Sequence, residues 1–75
     1  MNVRILKINE VVFEGTANSV SAPATTGVMQ ILDNHKPIVA TLRSGEVTVE
    51  GETKQSFPIE HGYLEATGEQ VTILL

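Results

Sequence analysis

The sequence predicts an all-β domain, an antiparallel β-sandwich or flattened barrel. Three observations predict it. Apolar and polar residues alternate with a period of two, clearest where Val47 and Val49 are set against Glu46, Thr48 and Glu50. Turn residues recur roughly every 5–10 positions along the chain. No stretch carries the apolar stripe of an amphipathic helix.

Taken in order, the first strand is Val3–Ile8, rich in β-branched residues around Arg4 and Lys7, with Asn9-Glu10 as the turn. Val11–Phe13 makes a short second strand, ended by Gly15. Thr16–Ala22 reads as a third strand, closed by Pro23, with Val20 and Ala22 on one face and Ser19 and Ser21 on the solvent face. Ala24–Gly27 is a tight connection. Val28–Leu32 is an apolar run too brief for a helix, and Pro37 biases Lys36 away from helical geometry.

Ile38–Leu42 is another apolar strand, and Arg43-Ser44-Gly45 turns the chain. Glu46–Glu50 and Thr53–Ile59 pair across a hairpin at Gly51-Glu52. Phe57 and Ile59 share a face there, and Pro58 requires a place where no ladder donor is needed. Tyr63–Ala66 is short, Thr67-Gly68-Glu69 turns, and Gln70–Leu75 closes the chain with Val71, Ile73 and Leu75 on one face. That is about nine short strands in one domain spanning residues 1–75, with no repeat and no linker.

Composition narrows the function classes. A chain of 75 residues buries only about 60% of its unfolded surface, so a partner surface is a natural source of further stability. It has no cysteine, which excludes disulfides and thiolate metal sites. Five Lys and Arg against nine Asp and Glu give a net charge of −4, which argues against nucleic acid as a partner. Phe13, Phe57 and Tyr63 are too few for a base-stacking platform. No apolar run approaches the ~20 residues of a membrane span, and the charged N-terminal strand is unlike a signal peptide. These features read as a soluble intracellular domain with no direct membrane insertion.

The stretch Gly27–Pro37 carries the one spacing that strand alternation does not require. Asp33 and His35 would share a face of a strand, but a metal site needs one or two further ligands, and His61 is far along the chain. Asp33 and Asn34 are expected to make local turn hydrogen bonds, with His35 packed or at an interface. There is no phosphate-binding Gly-x-x-x-x-Gly-Lys loop, no Gly-x-Ser-x-Gly elbow and no Ser, His and acid set, so no catalytic residue, cofactor site or metal site is expected. Lys54, just past the hairpin turn, raises one alternative: lipoyl and biotinyl carrier domains present their modified lysine at such a tip. The chain lacks the two similar halves of that pattern.

Across Gly27, Ile31-Leu32, Asp33-Asn34 and His35-Lys36-Pro37 the sequence resembles the N-terminal domain of the epsilon subunit of F-type ATP synthases. That family has a glycine, a short run ending Ile-Leu, two residues and then His-x-Pro. Further matches follow in the family's order. They are Val12-Phe13-Glu14-Gly15, Ser19–Pro23, Leu42–Val47, His61-Gly62-Tyr63-Leu64-Glu65 and Gln70–Leu74. The resemblance covers essentially all of the chain.

The resemblance implies a β-sandwich of two antiparallel sheets with about ten strands, in keeping with the count above. It implies a non-catalytic central-stalk subunit of the rotor. Such a subunit contacts the gamma subunit and the c-subunit ring, and helps couple proton flow to ATP synthesis. Its place would be peripheral, on the cytoplasmic face of the bacterial inner membrane. By the same resemblance the loop Thr25, Thr26, Gly27, Val28, Met29 and Gln30 faces the c ring, and His35, Glu60 and His61 face gamma. The family often has an acid where this chain has Val28, a glycine at Gln30 and a Gly-Gly pair at His61-Gly62. Many members continue into a helical hairpin after the position of Leu75, and members without that hairpin are similar to this chain.

Overall fold

A computed structural model describes all residues, Met1–Leu75, and contains nine strands and no helix. They are β1 (Asn2–Lys7), β2 (Glu10–Thr16), β3 (Ser19–Ala24), β4 (Gly27–Leu32), β5 (Ile38–Leu42), β6 (Gly45–Glu50), β7 (Lys54–Ile59), β8 (Gly62–Thr67) and β9 (Gln70–Leu74). All-β architecture and most boundaries follow the sequence reading. The third strand does not: it runs through Pro23 to Ala24 rather than stopping before the proline.

The reason is a change of partner. One edge of β3 pairs with β4 along its whole length. The other pairs with β6 at Ser19–Ser21 and then with β5 at Ala24. The Pro23 carbonyl accepts from the Arg43 backbone N–H at 2.8 Å, so the missing proline N–H points into the gap where β6 gives way to β5. No ladder bond is lost there. Pro58 is tolerated for a simpler reason, since β7 is an edge strand.

The strands form one continuous path, β2-β1-β9-β8-β5-β3-β6-β7, with β4 beside β3. The expected pair of sheets is therefore one curled sheet. Its five-strand half, β2 to β5, joins its four-strand half through the single pairing Ala24–Leu42. The curl brings the ends of the path together, where Phe13 of β2 and Phe57 of β7 lie 5.5 Å apart between ring centroids in a tilted arrangement. The wholly antiparallel expectation also needs correction, because β1 and β9 pair in parallel. Parallel neighbours need a long crossover, and here the rest of the domain supplies it.

Each strand turns one face inward. Val3 and Ile5, Val20 and Ala22, Val47 and Val49, Leu64 and Ala66, and Val71 and Ile73 belong to one core cluster drawn from both halves. Burying the valine, leucine and isoleucine side chains among them contributes about 1.5–3 kcal/mol each. Ser19, expected on the solvent face, is buried instead. Its strand is central and is flanked by Leu32 and Glu50 on its two sides.

The register sorts the loops into two ends. One end carries Ile8-Asn9, Thr25-Thr26, Arg43-Ser44 and Glu60-His61. The other carries Ala17-Asn18, Asp33–Pro37, Gly51–Thr53 and Gly68-Glu69.

Candidate functional site

The predicted ring-facing loop is shorter than expected. Only Thr25 and Thr26 form the turn, while Gly27–Gln30 already belong to β4. Gly27 has φ of 136°, a region that side chains rarely enter, so a glycine starts the strand. Within β4, Met29 and Ile31 turn inward, whereas Val28, Gln30 and Leu32 point to solvent. Val28 is 73% exposed.

The turn is held at its base from β5 and the residue after it. The Thr25 N–H donates to the Thr41 carbonyl at 2.9 Å, and the Arg43 Nε donates to the Ala24 carbonyl at 3.2 Å. Arg43 also places a cation beside this turn. The sequence shows an arginine in a turn, but only the β3–β5 pairing brings it to Ala24.

The three predicted gamma-facing residues are not brought together. Glu60 and His61 are exposed in the β7–β8 connection, at the same end as Thr25 and Thr26. His35 lies at the opposite end, in the connection between β4 and β5. Its Nδ1 lies 3.2 Å from the Lys36 carbonyl, and its Nε2 is buried without a hydrogen-bond partner. Asp33 does not make the expected local turn bond. Its Oδ1 accepts from the buried Met1 ammonium at 3.0 Å, and the same ammonium donates to the Ala17 carbonyl at 3.0 Å. Asn34 takes the left-handed turn conformation, with φ of 64°. No three His, Asp or Glu side chains converge on one point.

Lys54 is the first residue of β7, exposed and opposite Glu50, while Gly51, Glu52 and Thr53 occupy the hairpin tip. It is not the tip lysine that the carrier alternative needs.

The outer face of the five-strand half carries an arrangement that the sequence reading missed. Register places Val11 beside Leu6, Leu6 beside Leu74, and Leu74 beside Tyr63. These four form one apolar row across four strands. Val11, Leu74 and Tyr63 are each roughly half exposed, and Ile8 is almost fully exposed just beyond the row. The next row is polar: Glu14, Arg4, Thr72 and Glu65 lie side by side. In it Arg4 Nε stands 3.0 Å from Glu14 Oε2, close enough for an ion pair but outside hydrogen-bond alignment. No single strand shows this row; only the register lines these residues up.

The fold and its surfaces define a small all-β domain with an apolar outer row and a braced corner at Thr25–Gly27. A family model described as the β-sandwich domain of the ATP synthase delta/epsilon chain matches residues 1–75, and the chain belongs to that family. The ATP synthase epsilon chain of Caulobacter vibrioides is 41% identical over 63 residues, covering 83% of this chain and 73% of the relative. That of Chlorobium limicola is 38% identical over 64 residues, covering 83% of this chain and 73% of the relative. That of Leptospira borgpetersenii serovar Hardjo-bovis is 32% identical over 75 residues, covering 99% of this chain but 59% of the relative. This chain thus spans about three fifths to three quarters of these relatives' length.

Solved structures agree on the fold. A chain in the Euglena gracilis mitochondrial ATP synthase (OSCP/F1/c-ring, rotational state 1) superposes with a TM-score of 0.88 at 21% identity. The match covers 96% of this chain and 48% of that one. A chain in the central stalk and c-ring of the Tetrahymena thermophila mitochondrial enzyme gives a TM-score of 0.80 at 12% identity, covering 97% and 60% respectively. Family membership sets aside the carrier-domain alternative at Lys54.

Proposed function

We propose that the chain is the β-sandwich part of an epsilon subunit, a non-catalytic component of the ATP synthase central stalk. In this reading it links gamma to the c ring and helps couple proton flow to ATP synthesis, peripheral to the cytoplasmic face of a bacterial inner membrane. The family match over residues 1–75 carries the reading. The physical logic is that a rotor joint must be stiff and must hold two partners at once. A curled sheet closed on one core supplies the stiffness, and its ends and outer face are free for contact.

The geometry supports a particular division of labour. The ring lies against the end that carries Thr25, Thr26 and Gly27, together with the exposed Val28 and Gln30, and with Met29 anchoring the strand to the core. Glu60 and His61 share that end. His35 lies at the end turned toward gamma and the catalytic head. Gamma covers the apolar row Val11, Leu6, Leu74 and Tyr63. Burying such a row is what an assembly interface does with apolar residues that a free domain leaves wet. With Val28 in place of an acid, the corner meets the ring through apolar contact, and Arg43 supplies the nearby charge.

The test is co-purification of tagged chain with gamma and the catalytic head in a reconstituted synthase. A folded chain that never associates with gamma would sink the proposal.

A further inference from the structure

Four strand edges are open in this fold: β2 and β7 at the ends of the path, β4 on its far side from β3, and β5 on its far side from β8, where only Leu42 is paired. An open edge is a template for another strand unless something blocks it. β2 carries Glu10 and Glu14, and its ladder with β1 slips at Ile5/Leu6. β7 carries Lys54 and Pro58. β5 carries neither charge nor proline, but with the Thr41 carbonyl and the Arg43 N–H bonded to β3 and the turn after it, it turns only Val39 fully to its open edge. β4, Gly27-Val28-Met29-Gln30-Ile31-Leu32, also carries no charge and no proline, and its edge is open along its whole length.

The free groups on that edge can be identified. Pro23 directs its carbonyl away from β4, toward Arg43, so its pairing with Val28 is not a hydrogen-bonded one. Antiparallel ladders alternate bonded and non-bonded pairs. Counting from Pro23–Val28, the pairs at Ser21–Gln30 and Ser19–Leu32 are also non-bonded. Val28, Gln30 and Leu32 therefore turn both N–H and C=O to the open edge, and their side chains lie on the exposed face.

We infer that the open edge of β4 pairs with the same edge of a second copy of this chain, as an antiparallel ladder with Gln30 on the two-fold axis. The segment is self-complementary about that residue. In an isologous pair, Gln30 faces Gln30 of the second copy, and Val28 faces Leu32 twice. Every free N–H and C=O of the three residues is then satisfied, and the four-strand half continues into the second copy. Charge and length together single out this edge, since the uncharged β5 offers only Val39. Self-pairing of β2 or β7 sets carboxylates or lysines near their own copies in the ladder, at a cost, whereas β4 brings no charge at all. The area is that of one strand edge, at or below about 1,200 Å2, the low end of specific interfaces. The dimer is accordingly weak and concentration-dependent. It is also a state in which Val28 and Gln30 are unavailable to any other partner.

Sedimentation equilibrium of the chain from ~10 μM to ~1 mM spans the range where a contact of this size associates. The expected result is a monomer–dimer equilibrium that Gln30→Lys converts to monomer across the range, with an unchanged thermal melt. Because the chain has no cysteine, a second measurement is clean. Residues in a hydrogen-bonded antiparallel pair sit about 5.5 Å apart at Cα, within disulfide reach, so Gln30→Cys closes a disulfide at least roughly tenfold faster than the exposed Val39→Cys. A chain that stays monomeric at the top concentration overturns the inference. So does a dimer that persists in Gln30→Lys, or equal disulfide rates for the two cysteines. The result is independent of the rotor reading, since co-purification with gamma is unaffected by either outcome.

Discussion

Ala24 stands directly opposite Leu42, and this one pairing joins the four-strand half of the sheet to the five-strand half. Both residues are buried in the core. Two backbone bonds frame the pair, Thr25 N–H to Thr41 O at 2.9 Å and Arg43 N–H to Pro23 O at 2.8 Å. The corner proposed to meet the ring is thus built directly on the joint that closes the fold.

Leu42→Ala is therefore expected to destabilise the domain by about 2–5 kcal/mol, since the joint cannot easily collapse onto the cavity. Val39→Ala, on the exposed side of the same strand, is expected to stay within about 0.5 kcal/mol of the parent. Urea unfolding followed by circular dichroism measures both. Equal effects would mean that the joint is not where stability is concentrated.

Gly45 packs against Pro23 from the start of β6. A Cβ built there would sit 2.9 Å from the Pro23 Cβ and 3.0 Å from its Cγ. The proline ring is rigid and held between β4 and Arg43, so it cannot swing aside. Gly45→Ala is expected to cost about 1–3 kcal/mol, as overpacking does. A thermal melt indistinguishable from the parent would show that the two strands separate readily at this point.

Neighbouring acids in β4 are expected to behave oppositely. Val28→Asp places a carboxylate in water and leaves stability within about 0.5 kcal/mol. Met29→Asp turns one toward the core against which Met29 packs, where an unpaired charge costs several kcal/mol. Thermal melts distinguish them. In the assembled synthase, Val28→Asp is also expected to weaken ring attachment while the isolated domain stays folded. Ring retention after detergent wash reads that directly.

On the outer face, Leu74→Asp interrupts the row between Leu6 and Tyr63. Leu74 is 47% exposed, so the isolated domain is expected to remain folded. Its retention on gamma is expected to fall by tenfold or more, about 1.4 kcal/mol, because a charge is forced into an apolar contact. A folded Leu74→Asp chain that binds gamma like the parent would remove this face from the interface.

Alternation in Val47–Val49 and Val71–Ile73 was enough to identify strands and their inward faces, because a period of two is a local property of the chain. The turn at Gly68 and the hairpin after Glu50 were legible for the same reason. Pro23 misled because its rule concerns a missing donor. Whether a donor is needed depends on which strand lies alongside, and β3 changes partner at that point. Ser19 misled because alternation assigns a face but not what covers it.

The sequence by itself determined the all-β class, nearly all the strands, the core-facing residues and, through motifs spread from Val12 to Leu74, the family. Those are set by local periodicity, turn chemistry and residue order. Only the tertiary structure decided that β1 and β9 run parallel, that one curled sheet joins at Ala24–Leu42, and that Val11, Leu6, Leu74 and Tyr63 align. It also separated His35 from Glu60 and His61 by the length of the fold. The physical reason is that pairing between distant strands is chosen by how all the apolar faces can be buried together, and no single stretch of sequence contains that choice.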